Sequence, residues 1–324
     1  MLEGTIVRLD RGFPLVKCSS GESLRCEHAT ALVKGERVRA VIGDHVFVEL
    51  PEGHDKGIIT SIAPRRTAFV RRDPAERTAS QVLAANFDLV IVAEPIVQLN
   101  RQRLERELVL AHETGARVAI VLTKADLASA KEVADVQRDA SDLAGRAVTV
   151  LAISTSDEAS IDRVRSLVPA GQVAILIGKS GVGKSSLVNL LAGADVQGTC
   201  EVRSDGKGRH TTVDRVMVEL PGGGCVVDMP GVRGLGMWDA DRGLGAAFAD
   251  VEELAAHCRF RDCSHGDEPG CAVQAAVASG ELATARLDSY RTLSEEIATV
   301  RTHRDEARRM RGEKASDRKK ARKR

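Results

Sequence analysis

The sequence predicts a multidomain protein in which a small β-barrel precedes an α/β domain and a helical C-terminal domain. Three observations predict this order. Short β-favouring runs fill the first part of the chain, apolar strands alternate with amphipathic helices from Phe87, and three cysteines crowd together after His257. The chain has 324 residues, more than one compact domain usually needs.

The N-terminal part, to about residue 65, consists of short strand-like runs separated by Gly, Asp, Ser and Pro. The runs are TIVRL, FPLVKC, RVRAVI, HVFVEL and GIITSIA. Five short strands without a helix favour a small barrel, of which the five-stranded OB-fold is the commonest type. A small β-sandwich is the alternative.

From Phe87 the pattern changes to that of an α/β domain. The apolar runs FDLVIVAEPI, RVAIVLTKAD, AVTVLAISTSD and QVAILI each precede a stretch with helical spacing, and the middle two helices are predicted over 128–145 and near 158–167. Such alternation is typical of a parallel sheet covered by helices. Around 213–228 two further strands meet at ELPGGG in a predicted hairpin, and helices follow Gly236.

Composition bounds the class of protein. Hydrophobic residues make up 43% and charged residues 29% of the chain, which is typical of globular proteins. The longest apolar stretches are five residues, such as Val173 to Ile177, far short of the ~20 that span a bilayer. The first residues contain no apolar signal region. We therefore expect a cytoplasmic protein without a membrane contact.

The C-terminus is basic and the remainder acidic. Residues 301–324 contain 12 Lys/Arg against 4 Asp/Glu, a net charge of +8, whereas the whole chain carries +1. Such a tail is either an arm that meets a polyanion or a solvated terminus. The sequence has one Trp, one Tyr and six Phe, and this scarcity of aromatic residues argues against binding of nucleic acid through many stacked bases.

A phosphate-binding loop follows the run VAILI. Gly178-Lys179-Ser180-Gly181-Val182-Gly183-Lys184-Ser185 fits G-x-x-x-x-G-K-[ST] and opens the predicted helix SSLVNLLAG, which begins at Ser185. Glycines let successive N–H groups face phosphate oxygens at a helix N-terminus. Lys184 is expected to reach the β/γ-phosphates and Ser185 to ligate Mg²⁺. The loop predicts binding of a nucleoside triphosphate.

A second element for magnesium and the γ-phosphate is expected downstream. Asp228-Met229-Pro230-Gly231 fits D-x-x-G, in which Asp228 contacts Mg²⁺ through water and the Gly231 N–H faces the γ-phosphate. Thr211 or Thr212, between this motif and the phosphate loop, is expected to close over Mg²⁺.

Guanine recognition requires a carboxylate that accepts from N1–H and the 2-amino group together. Thr123-Lys124-Ala125-Asp126 is the one K-x-D match to that requirement, and Ser154-Thr155-Ser156 is a second base-loop candidate after the next strand. Both precede the phosphate loop, which reverses the ordinary order. A parallel sheet accommodates this, because the carboxyl ends of its strands converge on one crevice.

Four potential metal ligands lie within 14 residues: Cys258, Cys263, His265 and Cys271. Three thiolates and an imidazole suit tetrahedral Zn²⁺ and leave no open position, so the predicted site is structural. Buried thiols without a metal are the alternative. The other four cysteines show no partner spacing.

The reversed motif order, with QVLAANFD at 81–88, GRHTT at 208–212, DMPGVRGLG at 228–236 and CRFRDCSHGDEPGC at 258–271, resembles the circularly permuted ribosome-assembly GTPases of the ribosome small-subunit-dependent GTPase A family. The resemblance implies an OB-fold (1–66), a linker (67–86), a circularly permuted GTPase domain with the motif order G4-G5-G1-G2-G3 (87–236), a zinc-binding helical domain (237–300) and a basic tail (301–324). It also implies that the four Cys and His residues ligate one Zn²⁺.

Two residues depart from the general GTPase pattern. Thr123 replaces the usual Asn, so a hydroxyl must take over from an amide that braces the loop. Val232 stands where many GTPases carry a water-orienting Gln. The resemblance assigns that role to His210, and a surface or RNA-contacting His210 is the alternative.

The expected function is therefore hydrolysis of GTP to GDP during late maturation of the 30S subunit, stimulated by the subunit and coupled to release from it. The expected partners are the 30S subunit and 16S rRNA, and the protein is expected to be monomeric. A nucleotide-gated rRNA-binding scaffold without significant catalysis, and a metabolic P-loop kinase, are the alternatives. Turnover measured with and without ribosomal subunits separates them.

Overall fold

The computed structural model describes residues 1–10, 13–36, 38–72, 80–196, 215–229, 237 and 240–321. The strands in this part of the chain are β1 (Leu2–Asp10), β2 (Phe13–Cys18), β3 (Ser23–His28), β4 (His45–Glu49), β5 (Gly57–Ile62), β6 (Ala68–Arg72), β7 (Ser80–Ala85), β8 (Leu89–Pro95), β9 (Arg117–Thr123), β10 (Thr149–Ala152), β11 (Val173–Ile177), β12 (Arg215–Glu219) and β13 (Cys225–Asp228). The α-helices are α1 (Arg101–Glu113), α2 (Ala130–Ala144), α3 (Glu158–Arg165), α4 (Lys184–Ala192), α5 (Asp241–Ala247), α6 (Ala249–Ala255), α7 (Ala272–Ser279) and α8 (Thr284–Ala321).

Strands β1 to β5 form the N-terminal barrel. They pair in the order β1-β2-β3-β5-β4, and β4 also pairs with β1, which closes the ring. Alternate residues of these strands point inward, and Ile6, Val16, Cys26, Val48 and Ile59 form its fully buried core. The predicted five-stranded, OB-like barrel is confirmed.

The third strand of this barrel is not the one that the sequence pattern favours. RVRAVI was the predicted run, but the strand is Ser23–His28, and a single π-helical turn, Ala31–Glu36, follows it. The backbone of the favoured run is held by side chains instead: Ala40 N donates to His28 Nε2 (3.0 Å) and Val41 N to Asp44 Oδ2 (2.7 Å). The prediction of a strand there was wrong because these bonds replace a strand partner.

The second part of the sheet is the predicted α/β layer. Strands β10, β9, β8, β11 and β13 lie side by side in that order and are all parallel, and β12 pairs antiparallel with β13 through the predicted hairpin. Helices α3 and α4 contribute Ile161, Val164, Leu187 and Leu191 to its core. The carboxyl ends of the five parallel strands therefore lie along one edge.

The barrel and this sheet are continuous. Arg8 and Leu9 of β1 pair antiparallel with Val216 and Arg215 of β12. A Cβ added to Gly43 in the barrel would lie 2.0 Å from the Ala85 carbonyl oxygen, so the two backbones approach as closely as glycine alone permits.

Asn86 fixes the entry into β8. It is buried, takes the left-handed conformation (φ 55°), accepts from Arg66 N at 2.9 Å and donates to Gly43 O at 3.0 Å. The predicted linker, 67–86, contains β6 and β7, which form a separate two-stranded sheet; its residues 73–79 lie outside the described part.

The chain divides into two compact units: Met1–Phe69 with Val82–Glu107 and Thr114–Arg233, and Val70–Gln81 with Leu108–Glu113 and Gly234–Arg324. In the described residues after Gly236, the regular elements of the second unit are all helices, as predicted. Its interior is organised by Arg286, which stacks over Phe248 (4.0 Å) and forms an ion pair with Asp250 (3.0 Å). None of the helices described has the length and apolar run needed to cross a membrane.

Candidate functional site

The phosphate loop joins β11 to α4. Gly178 has φ 142°, and a Cβ on it would lie 2.4 Å from Ala93 O in the neighbouring strand, so this position requires glycine. Gly183, the N-cap of α4, also has a positive φ, 102°. The loop consequently curls at the helix N-terminus, where backbone N–H groups can receive an anion.

Lys184 is the first residue of α4, and its side chain bonds back to the loop. It is 7% exposed, and its Nζ donates to Gly178 O (2.9 Å) and Lys179 O (3.3 Å). Burial lowers the pKa of Lys184, while Asp228 and Glu107 act in the opposite direction. A buried ammonium held by loop carbonyls is available to an incoming phosphate.

Ser185, in the first turn of α4, contacts Asp228 at the end of β13. Ser185 Oγ donates to Asp228 Oδ2 at 3.2 Å. Burial raises the pKa of Asp228, against the effects of Lys184 and Ser185. Oδ1 of Asp228 is buried and has no hydrogen-bond partner among the described residues. A hydroxyl and an orphaned carboxylate oxygen fit a hard cation such as Mg²⁺.

The base-recognition candidates follow β9 and β10. Lys124 has a left-handed backbone (φ 61°), and a single 3₁₀ turn, Ala125–Leu127, exposes Asp126. The two loops are tied together, because Ala125 N donates to Ile153 O at 3.0 Å. After β10, Ser154 bonds Ser156 through their hydroxyls (2.8 Å), and Thr155 is exposed.

Thr123 links the base-recognition loop to the phosphate loop. Its buried hydroxyl donates to Val182 O at 2.8 Å, and Lys124 Nζ donates to Gly181 O at 3.3 Å. As expected from the sequence, the Thr123 hydroxyl braces the loop in place of the Asn amide that is usual at this position. The remaining loop residues, Lys179 and Ser180, and Ser186 in the first turn of α4, are not part of these contacts.

A buried charged cluster that the sequence motifs do not indicate lies beside this loop. Glu94 of β8 and Glu107 of α1 are 0% and 4% exposed. Arg103 donates Nε to Glu94 Oε1 at 2.6 Å, and its Nη2 also bonds Glu94. The signal was present in the sequence, because a glutamate inside the apolar run FDLVIVAEPI requires a partner when buried.

Cys258, Cys263, His265 and Cys271 converge in the helical unit, with their ligand atoms within 4.8 Å of one another. Cys258 Sγ and Cys271 Sγ are each 3.6 Å from His265 Nδ1 and 3.9 Å from each other. In a tetrahedral site with bond lengths of about 2.3 Å (Zn–S) and 2.0–2.1 Å (Zn–N), the sulfur–nitrogen distance is about 3.6 Å and the sulfur–sulfur distance about 3.8 Å. The donor set and its spacing therefore fit Zn²⁺.

Neighbouring groups hold two of these donors in place. His265 has a left-handed backbone (φ 58°), and its carbonyl accepts from Gln274 Nε2 (2.7 Å) and from Arg291. Burial lowers the pKa of His265, which favours the neutral imidazole that binds metals. Cys271 is the N-cap of α7, and its Sγ accepts from Gln274 N at 3.4 Å.

Five of the residues discussed above lie outside the part of the chain that the structure describes: His210, Thr211, Thr212, Gly231 and Val232. Residues 322–324 of the basic tail also fall outside it. The residues that the structure brings together are those of the phosphate loop, the base-recognition loops and Asp228 on one edge of the sheet, and the Cys/His cluster in the helical unit.

Comparisons with known proteins agree on one family. The family model described as RsgA GTPase matches residues 62–238. Curated relatives named small ribosomal subunit biogenesis GTPase RsgA include those of Streptomyces avermitilis (44% identity, 91% of this chain, 80% of the relative) and Streptomyces coelicolor (45%, 91% and 80%). The one from Methanosarcina acetivorans is 37% identical over 80% of this chain and 70% of its own.

Two solved structures share the fold. YjeQ from Thermotoga maritima superposes with a TM-score of 0.68 at 24% identity, over 92% of this chain and 98% of that one. YloQ, whose title calls it a circularly permuted GTPase, gives 0.66 at 24% identity, over 92% and 96%. The chain thus shares its fold with a protein whose title describes a circularly permuted GTPase.

Proposed function

The chain belongs to the RsgA GTPase family, and from that premise and the geometry of the site we propose that it hydrolyses GTP in late maturation of the 30S subunit. Membership makes it a GTPase that uses a guanine nucleotide and Mg²⁺. In the proposal, the small subunit stimulates hydrolysis, and hydrolysis is coupled to release from the subunit.

One observation carries this proposal: the bond from Thr123 to Val182 O joins a base-recognition loop to a phosphate loop that lies 59 positions further along the chain. The base-recognition loop follows β9 and the phosphate loop follows β11, so the sheet has to bring the two loops together. The parallel sheet brings both to one edge. One nucleotide can then contact both loops.

The proposed roles follow from the chemistry of each group. Asp126 accepts from guanine N1–H and the 2-amino group, and Lys184 neutralises the phosphates. The groups proposed to bind GTP are Thr123, Lys124, Asp126, Ser154, Thr155, Gly178, Lys179, Ser180, Gly181, Val182, Gly183, Lys184, Ser185, Ser186 and Gly231.

Ser185, Asp228 and either Thr211 or Thr212 are proposed to hold Mg²⁺. The orphaned Oδ1 of Asp228 and the Ser185 hydroxyl support this. When bound, the ion offsets charge on the phosphate oxygens. The residues themselves orient the phosphates so that water can attack the γ-phosphorus in line, giving GDP, phosphate and one proton.

His210 is proposed to orient the attacking water, because valine at position 232 offers no hydrogen bond. The test is subunit-stimulated turnover of His210→Ala, with Val213→Ala, a change to a nearby side chain that cannot bond water, as the control. The assignment requires that the stimulated rate falls in the first variant alone while GDP affinity stays unchanged. Unchanged stimulated turnover would leave His210 a role in contacting RNA.

Cys258, Cys263, His265 and Cys271 are proposed to bind one structural Zn²⁺. The 3.6 and 3.9 Å separations of the donor atoms support this. All four positions of a tetrahedron are then occupied by protein, so the metal would stabilise the helical domain and leave no open site for chemistry.

The proposed partner surface is 16S rRNA on the 30S subunit, contacted by the barrel and by the basic tail. Lys and Arg side chains would meet phosphates, so binding should weaken steeply as salt rises. We further propose that the protein acts in the cytoplasm as a monomer. The names of the relatives support the small subunit as partner.

The decisive experiment measures phosphate release from GTP and from ATP, each with and without purified 30S subunits. The proposal requires that 30S stimulates GTP hydrolysis alone. Slow GTP turnover that is indifferent to 30S would favour a nucleotide-gated scaffold instead, and ATP turnover would favour a metabolic enzyme. Equal retention of the GTP- and GDP-bound forms on 30S would refute the coupling to release.

A further inference from the structure

A cluster of four charged side chains lies beside the phosphate loop, and the roles proposed above use only one of them. Glu94 comes from β8, Arg103 and Glu107 from α1, and Lys184 from α4. The two carboxyl groups and the lysine are buried. Because buried charged groups have no water around them, they must compensate one another. The protonation state of each group therefore affects the charge of its neighbours.

The geometry locates one proton. Both oxygens of Glu94 accept from the Arg103 guanidinium. Glu107 is hydrogen bonded to Glu94. A hydrogen bond between two carboxyl groups requires a proton, and because both oxygens of Glu94 already accept from Arg103, Glu107 is the group that donates it. The second oxygen of Glu107, Oε2, has no partner among the described residues.

The surroundings of Glu107 favour this neutral form. Burial first, and then the neighbouring Glu94, raise the pKa of Glu107 to about 8, although Arg103 and Lys184 act to lower it. The charged groups that face it are therefore Glu94 from the strand, Arg103 from its own helix and Lys184 from the helix after the phosphate loop.

We propose that Glu107 is a positioning residue for the nucleotide: protonated, it holds Glu94 against Arg103 and leaves the Lys184 ammonium to the phosphates, and on ionisation it weakens nucleotide binding. This rests on the proposed function, because it takes the loop to bind GTP and GDP. Glu107 does not touch the nucleotide in this scheme and acts only through Lys184 and Glu94.

The sign follows from linkage. Phosphate groups are negative, so a bound nucleotide raises the pKa of Glu107 further. Affinity is fully present below the pKa of the free protein and declines as pH rises through about 8. One extra buried charge in the cluster corresponds to a change in affinity on the order of ten-fold.

The experiment titrates the affinity of the full chain for fluorescently labelled GDP between about pH 6.5 and 9.5. The wild-type dissociation constant should rise on the order of ten-fold more across this range than that of Glu107→Gln, because glutamine keeps the donor to Glu94 without ionising. Titration of Lys184 and of guanine N1–H at the upper end of the range affects both proteins. Asp135→Asn, which removes an exposed carboxylate from α2, should keep the wild-type profile.

A second measurement covers the case in which Glu107→Gln does not fold. Calorimetry of GDP binding to the wild type at pH 8, in two buffers of different ionisation enthalpy, should show uptake of about half a proton beyond the uptake at pH 6.5. Binding with identical pH profiles in wild type and Glu107→Gln, or without added uptake at pH 8, would overturn the inference alone. A wild type that does not bind GDP at any pH would instead overturn the proposed function.

Discussion

Replacing Thr123 by valine tests whether the base-recognition loop is held by a single hydroxyl. The Thr123 hydroxyl donates to Val182 O at 2.8 Å, and a second carbonyl, that of Glu94, lies at 3.4 Å. Valine has nearly the shape of threonine and cannot donate. The substitution therefore removes the buried bond between the two loops. It leaves the exposed bond from Lys124 to Gly181 O and the packing of β9 in place.

The magnitude follows from burial. Thr123 is 4% exposed and Val182 3%, so water cannot take over the contact to the carbonyl. A buried acceptor that loses its donor costs about 1–3 kcal/mol. The nucleotide then has to order the loop on binding, so we expect GDP affinity to fall by roughly 5- to 30-fold, which corresponds to about 1–2 kcal/mol.

The assay is equilibrium binding of labelled GDP to the wild type, Thr123→Val and Thr123→Ser. Serine keeps the hydroxyl, so its affinity should remain within about two-fold of the wild type. Equal affinity of the valine variant and the wild type would refute the argument that this hydroxyl braces the loop. Loss in both variants would indicate a packing effect in place of a lost hydrogen bond.

Three further outcomes are expected. Asp126→Asn should weaken GDP binding and strengthen xanthosine diphosphate binding, because its amide can donate to the 2-oxo group; parallel titrations with both nucleotides check this. Asn86→Ala should lower the free energy of unfolding by about 2 kcal/mol in urea denaturation, since it removes the bonds to Arg66 N and Gly43 O. A chelator should decrease helical circular dichroism if zinc supports the helical domain, and an unchanged spectrum would contradict the zinc assignment.

The architecture was predictable where the sequence pattern is long and regular. Alternating apolar strands and amphipathic helices indicated the parallel sheet, and the glycines of the phosphate loop marked the turn after β11. The barrel was harder to predict. Its third strand is Ser23–His28, in which only Leu24 and Cys26 are apolar and pack in the barrel core. RVRAVI is more apolar, but its N–H groups bond His28 and Asp44 instead.

The motifs of the site were predictable from the sequence, but most of the contacts that hold them in place were not. The sequence located Thr123 and indicated that a hydroxyl must replace an amide, but the partner, Val182 O, became visible only in three dimensions. The pairing of Glu94 with Glu107 could not be read from the chain, because it depends on the angle at which α1 packs against β8. A local sequence pattern indicates which residues are buried, but it does not indicate which buried residues contact one another.

The pairing of β1 with β12 has a consequence for synthesis. The first strand to leave the ribosome cannot complete its hydrogen bonds until the strand that pairs with Arg8, at Val216, has also emerged. At ~5–20 residues per second, that separation of roughly 200 residues takes on the order of 10–40 seconds. During this interval the barrel has an unpaired edge, which is a site for aggregation or for binding by a chaperone. A nascent chain stopped shortly before Arg215 should therefore be more sensitive to protease at residues 8–9 than one extended past the hairpin.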